Sequence, residues 1–199
     1  MNSGERAKTI QTRVIFDSEL ISAEESYPLL IHFNSRQQIT AAEILELDLP
    51  AKNRVDALLQ YEFFGARQLR DLACDFIEHT LHIFEEHSTG EHRPRRCVEV
   101  ARLPLKGSER EKLQRTIEEA IPIVWQLAGT EFVGAFEAGL AATFLNYEDA
   151  AEMTRLVARH TQRAAHRKLW ESRKSNLQPV TGREKEATWQ LKRIVEILI

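Results

Sequence analysis

The chain has 199 residues, of which 43% are apolar and 29% charged, and a net charge of −3. That length carries one domain with a core of its own and no need of a staple. The charge balance excludes the broad cationic field of a general duplex-DNA binder. Its two cysteines, Cys74 and Cys97, make neither a disulfide framework nor a CxxC pair, and both stand in helix-like text, where a free thiol behaves as a small buried hydrophobe in a reducing compartment. The polar start MNSGERAKTI has no apolar secretory stretch, and no window approaches the ~20 apolar residues of a membrane span. A cytoplasmic protein with no membrane association and no cofactor is expected.

In chain order, residues 1–38 read as an N-terminal arm or short β ribbon, with "TRVIFD" and "YPLLIHF" as β-branched and aromatic runs around the acidic "SAEES". Residues 39–199 read as a helical domain. "TAAE" is a capping box at Thr40 and Glu43, and Pro50 suits the first turn of a second short helix. After Gly65, Leu69, Leu72, Ala73, Phe76, Ile77, Thr80 and Phe84 recur at threes and fours, one apolar stripe on a helix of about six turns. Gly90 breaks the chain, and Pro94 opens a helix burying Cys97, Val98 and Ala101, which Pro104 and Gly107 end. "SERE" predicts a second capping box, Ser108 with Glu111, for a helix toward Ala128 that Pro122 must kink or divide. Thr130 caps the next helix, where Gly134, Ala138, Ala142, Ala135 and Gly139 present small faces, so it is read as central. Asn146 caps the longest helix, to about Arg173. "NLQPVTG" is a linker, and a third capping box at Thr181 and Glu184 starts the last helix, with a stripe of Ala187, Leu191, Ile194, Val195 and Leu198 beside Trp189.

The fold class expected is therefore all-α, an antiparallel multi-helix bundle of seven or eight helices with a small extended or β arm. A superhelical stack is the second choice, since no repeat of fixed period occurs.

Four histidines, His79, His82, His87 and His92, fall within fourteen residues. His79 and His82 stand one helical turn apart and, with Glu78 and Glu86 nearby, are weak metal-ligand candidates lacking the built-in base of HExxH. A solvated face of Glu–His pairs is the plainer reading. No nucleophile elbow, P-loop or dinucleotide fingerprint is present, so no catalytic residue is assigned. Charge is segregated: Glu131, Glu137, Glu148, Asp149 and Glu152 occur over 131–152 without Lys or Arg, whereas Arg155, Arg159, Arg163 and Arg167 stand four apart on one helix. That ridge could meet phosphates, pair within the bundle, or dock a protein partner. At the entry Arg93–Pro94–Arg95–Arg96, cations oppose the helix dipole. A clamp is expected there, Arg93 pinned to Asp75 and Glu78 on the preceding helix.

Three stretches carry a resemblance. "LPAKNRVDALLQYEFF", the run from "LRDLACDFIEHTLH" through "RPRRCVEVARLPLKGS", and "ATWQLKRIVEIL" are similar to the all-helical family of immunity proteins associated with bacterial polymorphic toxin systems, over about residues 40–199. The resemblance implies a protein-binding role, with a toxin as the partner and no catalytic residues to carry over. The expected function is thus a cytosolic module that occludes a toxin, with Arg95, Arg102, Arg155, Arg159 and Arg163 as partner-binding candidates. The alternatives are a nucleic-acid-associated regulator using the basic helix 155–174, which the acidic balance disfavours, and a metal-dependent helical enzyme. The sequence leaves homo-oligomerisation open.

Overall fold

The computed structural model describes residues 9–11, 38–171 and 180–198. They form an all-α bundle with a small β element: β1 (Thr9–Gln11) and β2 (Gln38–Thr40), then α1 (Ala41–Glu46), α2 (Ala51–Leu58), α3 (Ala66–His87), α4 (Arg93–Ala101), α5 (Ser108–Trp125), α6 (Val133–Thr143), α7 (Ala150–Glu171) and α8 (Val180–Leu198). The strands pair antiparallel, Ile10 opposite Ile39. The runs read as strands, "TRVIFD" and "YPLLIHF", lie outside the described residues.

Local chemistry sets most boundaries. Thr40 and Glu43 form the expected capping box, the Glu43 backbone N–H donating to Thr40 Oγ1 at 3.2 Å and the Thr40 N–H to Glu43 Oε2 at 2.8 Å. Pro50 is the N-cap of α2 rather than a residue of its first turn, and offers no side-chain acceptor there. The acceptor comes from the other end of the chain: Glu184 Oε1 takes the Ala51 N–H at 2.8 Å. Glu184 therefore caps a neighbour's first turn, and the Thr181 side chain of its expected box lies outside the described residues. Replacing Glu184 by Ala is expected to fray α2 and lower stability by ~1 kcal/mol, as loss of a helix cap does. Thermal unfolding of the two chains checks it, and an unshifted midpoint would discard the cap.

Three further caps move. Gly107, at φ 52°, is the N-cap of α5 and Ser108 its first residue, so the Ser108 hydroxyl donates to Glu109 instead. A glycine takes that left-handed turn without a Cβ penalty, which is why it displaces the serine. At α7 the cap is Asp149, whose Oδ1 accepts from the Glu152 N–H at 2.8 Å, while Asn146 donates to Gln114 Oε1 at 2.5 Å. α5 runs through Pro122 undivided. Thr130 stands just ahead of α6, accepting from the Phe132 N–H at 3.2 Å, and Phe132 is the N-cap.

The core follows the stripes. All seven residues of the α3 stripe are buried, with Phe76 and Phe84 wholly enclosed. α6 is central as expected: it packs on α3, α4, α5 and α7, with Gly134, Ala135, Ala138, Gly139, Ala141 and Ala142 buried. Small side chains there let neighbouring backbones come close. α7 lies against α3, α6 and α8, and α8 against α2. Among the described residues, no helix is long and apolar enough to cross a membrane.

Candidate functional site

The arginines were the first candidates, and the structure spends most of them internally. Arg95 forks onto Glu85 of α3, Nε and Nη2 donating to Oε1 and Oε2 at 2.6 and 2.8 Å. Arg102, at the end of α4, reaches Asp75 at 2.7 Å and Glu78 at 3.2 and 2.7 Å. These two hold α4 to α3: the fork to Arg95 holds the Glu85 carboxyl below its usual range and raises Arg95, and the bonds to Glu78 and Asp75 raise Arg102. Arg93, read as the clamp, instead pairs with Glu91 one residue before the helix N-cap. It stands at the start of α4, whereas Asp75 and Glu78 lie beside its end.

The α7 ridge is not one face. A step of four residues overshoots a 3.6-residue turn by about 40°, so the direction turns by about 120° from Arg155 to Arg167. Arg155 accordingly points into the bundle, donating to Leu59 O and Gln60 Oε1 at 3.0 Å each, and Arg159 meets Asp56 of α2 at 3.0 Å. Burial lowers the pKa of Arg155 and raises that of Asp56. Arg155 and Arg159 thus tie α7 to α2 and its following loop and are not an outward docking surface. Arg163 and Arg167 are exposed.

His79 and His82 do not converge. His79 Nδ1 meets Glu186 Oε2 of α8 at 2.9 Å and its ring stacks on Trp189 at 3.7 Å, whereas His82 Nδ1 bonds the His79 carbonyl at 3.1 Å. Among the described residues, no three metal-ligating side chains come together. Glu186 is 4% exposed and joins a polar chain in the interior, accepting from Gln190, which also donates to Thr161 Oγ1 at 2.8 Å and accepts from Gln162 at 2.8 Å. Burial pushes the Glu186 carboxyl up to about 8 and lowers the His79 imidazole. Beside them opens a cleft of about 650 Å³ lined by Asp75, Glu78, Trp189, Lys192, Arg193 and Glu196. Arg193 bridges Asp75 and Glu196 at 2.7 Å each, so the cleft wall is an ion-pair lattice joining α3, α4 and α8. Both thiols are buried and pushed up to about 12, so neither offers a thiolate near neutral pH.

No family model, curated protein or solved structure matches this chain. Its function must be argued from its surface.

Among the described residues, one stretch is unusual. From Thr116 to Thr154 there are seven acids, Glu118, Glu119, Glu131, Glu137, Glu148, Asp149 and Glu152, and no Lys or Arg. On α6, Phe136, Leu140 and Phe144 recur every fourth residue as a half-buried outer row. Trp125, 56% exposed, meets Phe136 edge-on at 5.4 Å, and Tyr147, 47% exposed, meets Phe144 at 5.8 Å. Ile121, one turn before Trp125, is also exposed. The Asn146–Gln114 bond holds the Tyr147 turn against α5. Tyr61 joins the same end of the bundle, its exposed ring anchored where its hydroxyl accepts from the Ala150 N–H at 2.7 Å. The acidic run is legible in the sequence, whereas residues 136, 140 and 144 have the spacing of any buried helix face and give no signal of their own.

Proposed function

We propose that the chain is a cytoplasmic protein-binding module of the immunity type, which covers a basic surface of its partner with the aromatic, acidic face built by α5, α6 and the start of α7. The exposed Trp125 and Tyr147 on an acidic, cation-free stretch are the observation that carries this reading. Aromatic side chains anchored from behind supply contact area with little entropy to lose, and they dominate interface energies. A surrounding field of one sign steers a partner of the other and rejects like-charged ones. A toxin that handles nucleic acid presents such a basic surface. This moves the docking face from the arginines to the acids: the polarity is opposite to that expected from the α7 ridge. Two buried free thiols accord with a reducing compartment.

The test is whether the reading frame adjacent to this one encodes a toxin that the chain neutralises, with affinity measured alongside. Joint replacement Trp125→Ala and Tyr147→Ala is expected to weaken binding by about a hundredfold or more, on the scale of two interface anchors. Arg163→Glu is expected to leave it intact. Unchanged affinity in the double variant, or loss in the arginine variant, would overturn the assignment.

A further inference from the structure

The half of the ridge that does not turn inward has a different surrounding. Arg163, His166 and Arg167 of α7, Arg183 of α8 and Glu137 of α6 line a pocket of about 350 Å³. Arg163, Arg167 and Arg183 are exposed and have no hydrogen-bond or ion-pair partner among the described residues. The His166 Nδ1 is buried and likewise without a partner there. Glu137 is already engaged, at 2.5 Å from His160 Nδ1. Arg95, Arg102, Arg155, Arg159 and Arg193 each meet a carboxylate or carbonyl, whereas here three unanswered guanidinium groups surround one concavity, an arrangement that a bound anion would resolve.

The pocket is also built, because the two helices that supply its arginines are pressed together at one point. A Cβ on Gly182 would stand 2.6 Å from Leu169 Cδ1, 2.9 Å from His166 Cα and 3.0 Å from the Ala165 carbonyl. Only glycine allows the start of α8 to lie on α7 there, which brings Arg183 to the residues flanking His166. Three guanidinium charges against one carboxylate leave two positive charges, the match for a dianion rather than for a single carboxylate. Guanidinium forks pair two N–H donors with two oxygens, and a phosphate offers oxygens enough for several forks at once.

We propose that this pocket binds a phosphate dianion, either free or as the phosphomonoester end of a small molecule. The pocket shares Glu137 with the acidic stretch but includes neither Trp125 nor Tyr147, and it can be tested on the isolated chain, so the failure of one assignment leaves the other standing. The experiment is calorimetric titration of the full chain at pH 8 with inorganic phosphate and with adenosine monophosphate, each at ionic strength held constant with sodium chloride. Saturable binding is expected, weakened about tenfold or more in Arg163→Gln and in Arg183→Gln, since each removes a charge-assisted fork. Equal affinity for the two ligands would identify free phosphate as the ligand, and tighter binding of the nucleotide a phosphomonoester. These arginines are exposed and tie nothing together, so the variants are expected to keep the parent's helical circular dichroism, with Arg167→Gln as a third readout should either fail to fold. Heat reproduced by chloride alone, or affinity indifferent to all three substitutions, would overturn the proposal.

Discussion

Replacing Glu186 by Gln is expected to flatten the pH dependence of stability and to leave the variant more stable than the parent at pH 9. The carboxyl of Glu186 sits between α8 and α3, 4% exposed, and burial pushes it up to about 8. At neutral pH it is therefore protonated and donates to His79 Nδ1 at 2.9 Å, and burial likewise favours the neutral imidazole that accepts. A folded-state value above the ordinary 4.5 means that the native chain holds a proton the unfolded chain releases. The stabilisation is complete below about pH 4.5 and is lost as pH rises toward about 8, after which the profile levels. The loss over that window is on the order of 5 kcal/mol. An amide in the same place still donates to His79 Nδ1 and accepts from Gln190, without a charge to bury. Chemical denaturation of both chains from pH 5 to 9 reads the difference. Parallel profiles would show that Glu186 is ionised in the folded chain.

Gly139→Ala is expected to destabilise the bundle by about 1–3 kcal/mol, the cost of overpacking a filled core. The added Cβ would lie 2.7 Å from Phe84 Cδ2 and 3.0 Å from both Phe84 Cε2 and Val124 Cγ2. Phe84 is wholly enclosed and has nowhere to swing. In the second variant Phe84→Leu, the same Gly139→Ala change should cost measurably less, because the ring edge that it meets is gone. A double-mutant cycle by thermal unfolding reads that coupling. Additive effects would mean that α6 simply shifts away and that its close approach to α3 is not required.

Much of the fold could be read from the chain because its signals are local. The α3 stripe, the small faces of α6 and the Thr40–Glu43 box each lie within a few turns of sequence, and periodicity reports them directly. Caps were misplaced where another residue could serve: Gly107 supplanted Ser108 because the turn needed a positive φ, and Glu184 capped α2, 133 residues away. Site chemistry was less legible for the same reason. His79 and Glu186 are 107 residues apart, and nothing in either neighbourhood announces the other. Asp75 and Glu78 were legible as acceptors on α3, but their donor is Arg102 rather than Arg93, and four-residue spacing hid the rotation that sends Arg155 inward and leaves Arg163 outside.

The bond from Ala51 to Glu184 has a bearing on synthesis. A ribosome delivers α2 long before it delivers α8, and the partners Arg155 and Arg159 that tie α2 to α7 also arrive late. The front of the domain must wait, its Val55, Leu58 and Leu59 side chains open to other contacts, until the tail emerges. Stalling translation before codon 180 would leave a nascent chain whose first helices cannot yet lock, and which a chaperone would be expected to hold.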